Sequence, residues 1–329
     1  MNASAMFPAA NSTSKLTCLA AQPPMNATPL VSILINNYNY APFLTQAVDS
    51  ALRQTYENIE VIVVDDGSTD NSWQVIKSYG DRIVPIAKKN GGQASAFNAG
   101  FEKSQGDIVC FLDSDDVFLP DKLQKLVDIF DRYREVGWCF HPLERVDNDL
   151  KQYLAPEQYS GAPGPYDLRK LLRRGKLGEA MPFKSIVTSG MCFRRELLEK
   201  ILPMPLEIRI TSDDYIKYAA LGVSKGYILL ENLALQRIHP SNAYTFRDDR
   251  PLLRAKILLQ TAYFLRRDFP EIKAYANNLF SLGAAEFLQQ SQKDDQQLHR
   301  LVKDYYASLS FLERIKVKLR ERYYLGRKR

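Results

Sequence analysis

The hydrophobic pattern of the first third of the chain consists of short apolar runs that end abruptly in polar residues. The clearest runs are residues 31–35, 60–64 and 108–112, which are rich in Val, Ile and Leu. Runs of this length fit strands that are buried on both faces of a parallel sheet. A weaker run at 82–87 contains Pro85, which predicts a strand near a sheet edge.

Segments with helical spacing separate these strands. Apolar residues recur on one helical face from Phe43 onward, and similar patterns predict helices near 70–79, 93–103 and 121–134. Strands that alternate with helices are typical of βαβ units, whose right-handed crossovers place the carboxyl ends of all strands at the same edge. The predicted fold class is therefore α/β, with a Rossmann-like, mostly parallel central sheet flanked by helices.

The pattern changes after residue 135. Strands are predicted at 137–146, 186–193, 227–230 and 234–238, helices at 167–174 and from Ser212, and a Gly/Pro/Tyr-rich loop at 153–167. From Pro251 to about Tyr324 the spacing is helical throughout, which predicts an α-helical C-terminal extension.

Polar clusters follow the three buried strands directly, at 36–39, 65–68 and 113–116. Because the strands are predicted to be parallel, the clusters should meet at one edge, where open α/β sheets bind their ligands. The last cluster contains Asp113, Asp115 and Asp116, whose mutual repulsion a bound cation would relieve. Oxygen ligands of this kind suit Mg²⁺ or Mn²⁺. The alternative is an acidic turn that caps the helix beginning near Pro120.

Composition and charge restrict the classes of partner. The chain has 329 residues, of which 45% are hydrophobic, and a net charge of +6. Residues 311–329 contain eight Lys/Arg and two Glu, so the remainder is formally neutral, which argues against a nucleic-acid-binding body. No apolar run approaches the ~18 residues of a membrane span, and residues 1–28 are expected to be a disordered leader without the features of a signal peptide. A cytoplasmic protein is expected, and the four cysteines, whose spacings fit no zinc site, are expected to be buried thiols.

Five segments together resemble one enzyme family, the family 2 inverting glycosyltransferases of the GT-A fold. They are VSILINNYNYAPFLTQAVDSALRQTYENIEVIVVDDGSTDNS (31–72), NGGQASAFNAG (90–100), DSDD (113–116), SDDYIKYAALG (212–222) and RIHPSNA (237–243). The match is dense from about Val31 to Phe118, patchy to about Ala243, and absent from the leader and the helical extension. The resemblance implies a GT-A type sheet and the transfer of a sugar from a nucleotide-diphosphate donor.

The resemblance also implies a set of site residues. The residues that would bind the donor nucleotide and its phosphates are Asn36, Tyr38, Asp66, Gly92, Asp113, Ser114 and Arg237. Within this set, Tyr38 would stack on the base and Asp113 would contact the ribose. Asp115 would ligate the Mn²⁺ or Mg²⁺ that bridges the two phosphates, and His239 would contact that metal or the diphosphate.

The catalytic base implied by the resemblance is Asp214, with Asp213 as a neighbouring acid that could raise its pKa. The family more often has Glu-Asp at this position, so either residue of the pair remains a candidate. Both acids also fit a simpler interpretation, because acids in a first helical turn interact favourably with the helix dipole. The resemblance favours a UDP-sugar as donor. Specificity for uracil is not established, because the segment around Asn90 carries no Arg that could reach the base.

These features predict a metal-dependent, inverting, non-processive hexosyltransferase that adds one sugar to a hydroxyl acceptor, in cell-surface polysaccharide or glycolipid synthesis. Processive synthases of the family carry a Gln-x-x-Arg-Trp motif, whereas here neither Trp73 nor Trp138 follows an Arg. Two alternatives remain. One is a nucleotide-sugar-binding or scaffolding protein without turnover, and the other is nucleotidyl transfer, for which a Gly-rich, basic first loop is missing.

Four segments are expected: the leader (1–28), a nucleotide-sugar-binding half (29–135), an acceptor-binding half of the same domain (136–250) and the helical extension (251–329). The acceptor is expected to be a carbohydrate or a lipid-linked molecule.

The end of the chain combines apolar and basic residues at helical spacing. An apolar stripe is formed by Leu312, Ile315, Leu319 and Tyr323, among many Lys and Arg residues. Residues 311–329 are therefore expected to contact the inner face of a membrane peripherally. The alternative is a helix that packs on the domain and leaves a solvated basic face.

Overall fold

The computed structural model describes residues 28–152, 158–183, 186–242, 247–290 and 295–327. Of the predicted leader, therefore, only Thr28 is described, and the predicted loop at 153–167 is described from residue 158 onward.

Strands and helices alternate through the first half, as the sequence pattern predicts. Along the described residues the strands are β1 (Val31–Asn37), β2 (Ile59–Asp65), β3 (Val84–Ala87), β4 (Ile108–Asp113), β5 (Val117–Phe118), β6 (Val136–Phe140), β7 (Glu144–Val146), β8 (Gly164–Tyr166), β9 (Met191–Arg194), β10 (Lys225–Ile228) and β11 (Ala234–Arg237). The helices are α1 (Ala41–Leu52), α2 (Ser72–Ser78), α3 (Gln93–Lys103), α4 (Lys122–Arg132), α5 (Arg169–Arg173), α6 (Arg195–Leu198), α7 (Asp213–Val223), α8 (Arg250–Asp268), α9 (Lys273–Leu288), α10 (Gln296–Ser308) and α11 (Phe311–Arg327).

The main sheet has the order β3-β2-β1-β4-β9-β6-β10-β8 within the described residues. The first four strands are parallel to one another, and β10 is parallel to β6. Strand β9 is antiparallel to both of its neighbours, and β8 is antiparallel to β10. The predicted mostly parallel sheet flanked by helices is confirmed, and β3, which contains Pro85, lies at the sheet edge as predicted.

Strand register places the three polar clusters side by side. Asn36 at the end of β1 lies opposite Asp113 at the end of β4. On the other side of β1, Asn37 lies opposite Asp65 at the end of β2. The carboxyl ends of three neighbouring parallel strands therefore share one edge of the sheet.

Two strand predictions are wrong in detail. The run at 137–146 is not one strand: β6 belongs to the main sheet, whereas β7 pairs with β11 in a smaller sheet of order β5-β11-β7. The run predicted as a strand at 186–193 begins instead with a 3₁₀ turn, Thr188–Gly190, before β9. The 3₁₀ turn lies at the edge that carries the polar clusters, because Ser189 within it bonds to Asp113 and Asp116.

The core lies on both faces of the main sheet. Alternate residues of β1 and β4 point to opposite faces, so Leu34 and Phe111 pack in one apolar cluster while Ile35 and Cys110 pack in the other. The first cluster also contains residues of α8, α9, α10 and α11. The helical extension is thus built onto the same apolar core as the sheet, and the predicted segment boundaries stay predictions.

Three of the four cysteines lie side by side on one face of the sheet. Cys192 on β9 lies opposite Cys110 on one side and Cys139 on the other, and all three are free and buried. Their predicted burial is confirmed, whereas Cys18 lies outside the described residues. In the part of the chain that the structure describes, no helix is long and apolar enough to cross a membrane.

Strand β10 packs so closely on Trp138 that a substitution at Gly226 tests the packing of the sheet. A Cβ atom at Gly226 would lie 1.8 Å from a ring carbon of the buried Trp138, whereas a Cβ at Gly326 in α11 would meet nothing within 4 Å. Gly226→Ala should lower the free energy of unfolding by at least about 3 kcal/mol, at the upper end of the cost of overpacking. Gly326→Ala should leave it unchanged or raise it by up to about 1 kcal/mol. Urea denaturation followed by circular dichroism measures both, and equal stability of the two variants would contradict the packing.

Candidate active site

A crevice of about 1270 Å³ lies at the carboxyl ends of β1, β2 and β4. Most residues predicted from the sequence line it: Asn36, Tyr38, Asp66, Gly92, Asp113, Ser114, Asp115, Asp213 and Arg237. Two predicted residues are not part of the lining, His239 and Asp214. The structure therefore brings side chains from segments as distant as residues 36 and 237 to one place.

The polar cluster at 36–39 contains a buried amide without hydrogen-bond partners among the described residues and an exposed aromatic ring. Both the oxygen and the nitrogen of the Asn36 side chain are buried, and neither has a hydrogen-bond partner among the described residues. A buried amide left without partners costs free energy unless a ligand supplies them. Tyr38, two residues on, is 46% exposed, so its ring is accessible from the crevice. This end of the crevice suits a flat, hydrogen-bonding ligand.

Asp66 organises the loop that forms the opposite wall. Its carboxylate accepts hydrogen bonds from the backbone N–H groups of Gly91 at 2.9 Å and Gly92 at 2.7 Å, and it pairs with Lys88. Gly92 has φ of +85°, and a Cβ there would lie 2.7 Å from the backbone of Arg209. Only glycine fits that conformation and that close approach. Direct contact of Asp66 with a base or ribose stays a prediction.

The acidic turn at 113–116 is held from below by Ser189. The backbone N–H of Asp113 donates to Ser189 Oγ at 3.0 Å, and Ser189 Oγ donates to Asp116 Oδ2 at 2.6 Å. The other oxygen of Asp116 accepts the backbone N–H of Arg237 at 3.0 Å. Asp116 thus joins the turn to β11.

Asp115 faces His239 and Asn242. Its Oδ2 lies 3.1 Å from His239 Nε2 and accepts a hydrogen bond from Asn242 Nδ2 at 3.0 Å. Asn242 also accepts the backbone N–H of His239, so it fixes the position of the imidazole. Asn242 lies in the quoted RIHPSNA segment, but nothing in its spacing predicts that it reaches Asp115.

The carboxylates of the acidic turn repel one another, and a nearby cation offsets part of their charge. Burial, followed by the neighbouring Asp116 and Asp115, raises the pKa of Asp113 well above its usual range. Burial and Asp115 raise the pKa of Asp116 to about 8. A buried ammonium group offsets some of this charge: Lys122 Nζ donates to Ser189 O at 2.7 Å. Burial lowers the pKa of Lys122, which indicates how deeply this cation is enclosed.

The guanidinium of Arg237 is already bound by protein groups. Nε donates to the backbone oxygen of Asp115 at 2.9 Å, and the two terminal nitrogens donate to Asn148 O and to Gln46 Oε1. The group also lies over the ring of Phe43 at 5.0 Å from its centroid. Arg237 therefore braces the back of the acidic turn in this structure, and the predicted contact with donor phosphates stays a prediction.

The two acids at the start of α7 lie in different environments. Asp213 lines the crevice and is buried, and burial together with Asp214 raises its pKa to about 7. The Asp214 carboxylate forms an ion pair with Lys217 of the same helix. The acid that the resemblance implied as base is thus tied to a cation, while its neighbour faces the crevice.

Gln93 and Arg209 connect segments of the crevice that lie far apart in the sequence. Gln93 Oε1 accepts from the backbone N–H of Ser212 at 2.9 Å, and its Nε2 lies 3.4 Å from Asp113 Oδ1. Arg209 binds the side chain of Asn90 and lines the crevice beside it. The sequence showed no Arg near Asn90 because Arg209 lies 119 residues further along the chain.

The crevice also extends along the helical extension. One face of α8 and one face of α10 line it, through residues that include Lys256, Gln260, Tyr263 and Leu301. The volume exceeds the ~300–1,000 Å³ of a typical small-molecule site, which leaves room for a second ligand. The sequence interpretation placed acceptor contacts before residue 250, so this wall was missed.

Comparisons with known proteins agree with this geometry. A family model described as Glycosyl transferase family 2 matches residues 32–202, slightly more than half of the chain. An uncharacterised glycosyltransferase of Nostoc sp. is 42% identical over 217 residues, covering 64% of this chain and 66% of the relative. An uncharacterised glycosyltransferase of Rickettsia prowazekii is 46% identical over 216 residues, covering 64% of this chain and 65% of the relative. The matched region thus spans slightly less than two thirds of these relatives.

Among solved structures, residues 1–349 of S. aureus TarS in complex with UDP superpose with a TM-score of 0.56. The sequence identity is 18%, and the match covers 86% of this chain and 76% of that chain. The same TarS segment in complex with UDP-GlcNAc gives the same TM-score. At this identity the likeness shows the fold, which is the GT-A type predicted from the sequence.

Ser189 should be a stability determinant of the acidic turn. Ser189→Ala removes the acceptor of the Asp113 N–H and the donor to Asp116, so it should lower the free energy of unfolding by about 2 kcal/mol. Ser78→Ala is the matched control, because among the described residues Ser78 Oγ bonds to the backbone oxygen of Val75 in the same helix and to no other group. Thermal and urea denaturation of both variants measure the difference, and a Ser189→Ala protein as stable as the control would contradict the role of Ser189.

Proposed function

The chain belongs to glycosyl transferase family 2, and from that premise we propose that it transfers one sugar from a nucleotide-diphosphate donor to a hydroxyl group of an acceptor. The observation that carries the proposal is the convergence of three features in one crevice: the unpartnered amide of Asn36, the acidic turn with Asp115, and the buried Asp213. Together they supply the parts that such a transfer needs: a nucleotide site, a site for the diphosphate charge, and a base.

The nucleotide site is proposed to lie between Tyr38 and the 90–92 loop. The ring of Tyr38 would stack on the base, and the Asn36 amide would gain the partners that it lacks. Asp113 and Ser114 would lie toward the ribose. Arg209 adds a cation beside Asn90 that could reach a base carbonyl, which supports a UDP-sugar as the favoured donor.

The diphosphate is proposed to lie over Asp115. Among the described residues, no three His, Cys, Asp or Glu side chains form a group that would hold a metal by themselves. The pair Asp115 and His239, with side-chain atoms 3.1 Å apart, fits a Mn²⁺ or Mg²⁺ whose other ligands are phosphate oxygens and water. When bound, the cation would neutralise the charge that develops on the leaving diphosphate.

Asp213 is proposed as the general base. Its carboxylate faces the crevice and would accept the proton of the acceptor hydroxyl as that oxygen attacks the anomeric carbon. Attack from the face opposite the leaving diphosphate forms the new glycosidic bond while the old one breaks, which inverts the anomeric configuration. A pKa near neutrality suits a base in this position. Asp214, paired with Lys217, would set the position of α7 and raise the pKa of Asp213.

The acceptor is proposed to be a carbohydrate or a lipid-linked molecule that lies along α8 and α10, as in cell-surface polysaccharide or glycolipid synthesis. The crevice continues from Asp213 to these helices, so an acceptor bound there would present a hydroxyl to the base. One sugar is proposed to be added per encounter.

Substitution of Asp115 tests the metal site. Asp115→Asn should raise the Mn²⁺ concentration for half-maximal release of nucleoside diphosphate by at least about 100-fold. The effect is large because the substitution removes a direct metal ligand and not merely a residue that orients one. It should also abolish the extra thermal stabilisation that Mn²⁺ adds to UDP binding. Asp131→Asn, at an exposed acid paired with Arg134, is the control and should behave as wild type. Unchanged metal dependence in Asp115→Asn would refute the assignment.

Substitution and pH dependence distinguish the two candidate bases. Asp213→Asn should lower the rate of nucleoside diphosphate release by about 10²–10⁴-fold, while donor binding measured by calorimetry is kept. Because the base must be deprotonated, kcat/KM of the wild type should fall tenfold per pH unit below about pH 7, the pKa to which burial and Asp214 raise Asp213.

Asp214→Asn should reduce the rate less and shift the acidic limb of the profile to lower pH, because a charge that raises the pKa of Asp213 is removed. The opposite ranking of the two variants would make Asp214 the base. Release of pyrophosphate instead of nucleoside diphosphate would indicate nucleotidyl transfer, and no release with any donor would indicate a binding protein.

A further inference from the structure

Helix α11 packs through one face against the part of the chain that the structure describes. Val317 is fully buried in the core cluster, and Ser281 Oγ of α9 donates to its backbone oxygen at 3.3 Å. One turn earlier, the Glu313 carboxylate accepts two hydrogen bonds of 3.1 Å from the Arg266 guanidinium. These contacts fix which side of the helix faces outward.

The outward face is apolar. Five large apolar side chains of α11 are between 43% and 78% exposed: Phe311, Leu312, Ile315, Leu319 and Tyr323. Of the large apolar side chains that are exposed in the described part of the chain, this one helix carries more than half. At 3.6 residues per turn they form a continuous stripe on the side of the helix opposite Val317. Such a concentration marks an interaction surface rather than scattered exposed residues.

The charges of α11 are sorted between its two sides. Both acids face the protein: Glu313 binds Arg266, and Glu321 accepts a hydrogen bond from the Tyr306 hydroxyl. Lys316 and Arg322 are exposed beside the apolar stripe. The outward side therefore presents apolar side chains bordered by cations and by neither acid of the helix.

The separation of acids and cations between the two sides of α11 favours some binding partners over others. A second copy of the chain, related by a two-fold axis, would bring the Lys316 and Arg322 of one copy against the same residues of the other, which is repulsive. An anionic lipid surface complements both components at once, because apolar side chains enter the boundary of the acyl chains while cations bind the phosphates. A face that was only apolar, or only basic, would match only one of these two components of the lipid surface.

We propose that the outward face of α11 binds the surface of an anionic lipid membrane, with the stripe of Phe311, Leu312, Ile315, Leu319 and Tyr323 inserted below the headgroups. The helix lies parallel to the membrane plane and does not span it. The inference does not rest on sugar transfer, because it concerns a surface on the side of α11 turned away from the protein.

Vesicle binding of the full chain tests the proposal without any donor sugar. Co-sedimentation is measured with vesicles of phosphatidylcholine alone and of phosphatidylcholine mixed with phosphatidylglycerol. The wild type should bind the mixed vesicles, bind the neutral vesicles much more weakly, and be released as salt is raised. Lys316→Gln and Arg322→Gln should each weaken binding about fivefold.

A pair of charge insertions tests the apolar stripe. The double variant Leu312→Glu/Leu319→Glu should reduce the bound fraction at least tenfold, because two side chains that insert are replaced by anions. Leu288→Glu is the matched control, since Leu288 is 54% exposed at the end of α9, outside the stripe, and should bind as wild type. Thermal unfolding checks that all variants are folded, and release of nucleoside diphosphate without vesicles should be the same in all of them.

Several outcomes would overturn the proposal. Equal binding to neutral and anionic vesicles, no binding by the wild type, or full binding by the double variant would each refute it. A wild type that is dimeric without vesicles, and that the double variant makes monomeric, would show that the stripe covers a second copy instead. Loss of sugar transfer with vesicle binding intact would concern the crevice and leave the proposal standing.

Discussion

The convergence of carboxylates at one edge of the sheet is the constraint on which the site depends. Parallel pairing of β1 with β4 places the acidic turn at 113–116 in the crevice, and α7 brings Asp213 toward it, where its charge adds to that of Asp113. Buried carboxylates repel one another and raise one another's pKa. Lys122 below the turn and Arg237 behind it offset part of this charge. The negative charge that remains faces the crevice, where the proposed divalent cation would balance it.

The helical extension supports this arrangement directly. Tyr215 on α7 donates to Asp268 at the end of α8 at 2.8 Å, and Tyr218 packs against Tyr275 of α9 with ring centroids 5.0 Å apart. Both contacts lie within two turns of Asp213, so the extension holds the helix that carries the proposed base. Because α8 and α10 also line the crevice, the extension belongs to the site and is more than an appended segment. Helix α11, whose inward face completes the same core, leaves its outer face available for a membrane surface.

Several contacts couple the proposed nucleotide end of the crevice to the proposed acceptor end. Gln93 bonds the backbone before α7 with one atom and approaches Asp113 with the other, and its own N–H donates to Arg209 O at 2.9 Å. The glycine at 92 permits this close approach. A donor bound against the 90–92 loop, as proposed, would touch the same backbone that positions Asp213.

The sequence by itself determined the parallel strands of the first half, the polar edge that they share, and nine of the residues that line the crevice. Apolar runs, helical spacing and the polar clusters at strand ends are local features, and the crossover rule converts them into one shared edge. Only the tertiary structure decided which acid of the 213–214 pair faces the crevice, that the Arg237 guanidinium is enclosed, and that Arg209 and Asn242 reach the site. Each of these depends on partners that lie far away along the chain, such as Asn90 for Arg209 or Asp115 for Asn242. Periodicity fixes the face of an element on which a side chain lies, but its hydrogen-bond partner is settled only when distant elements pack together.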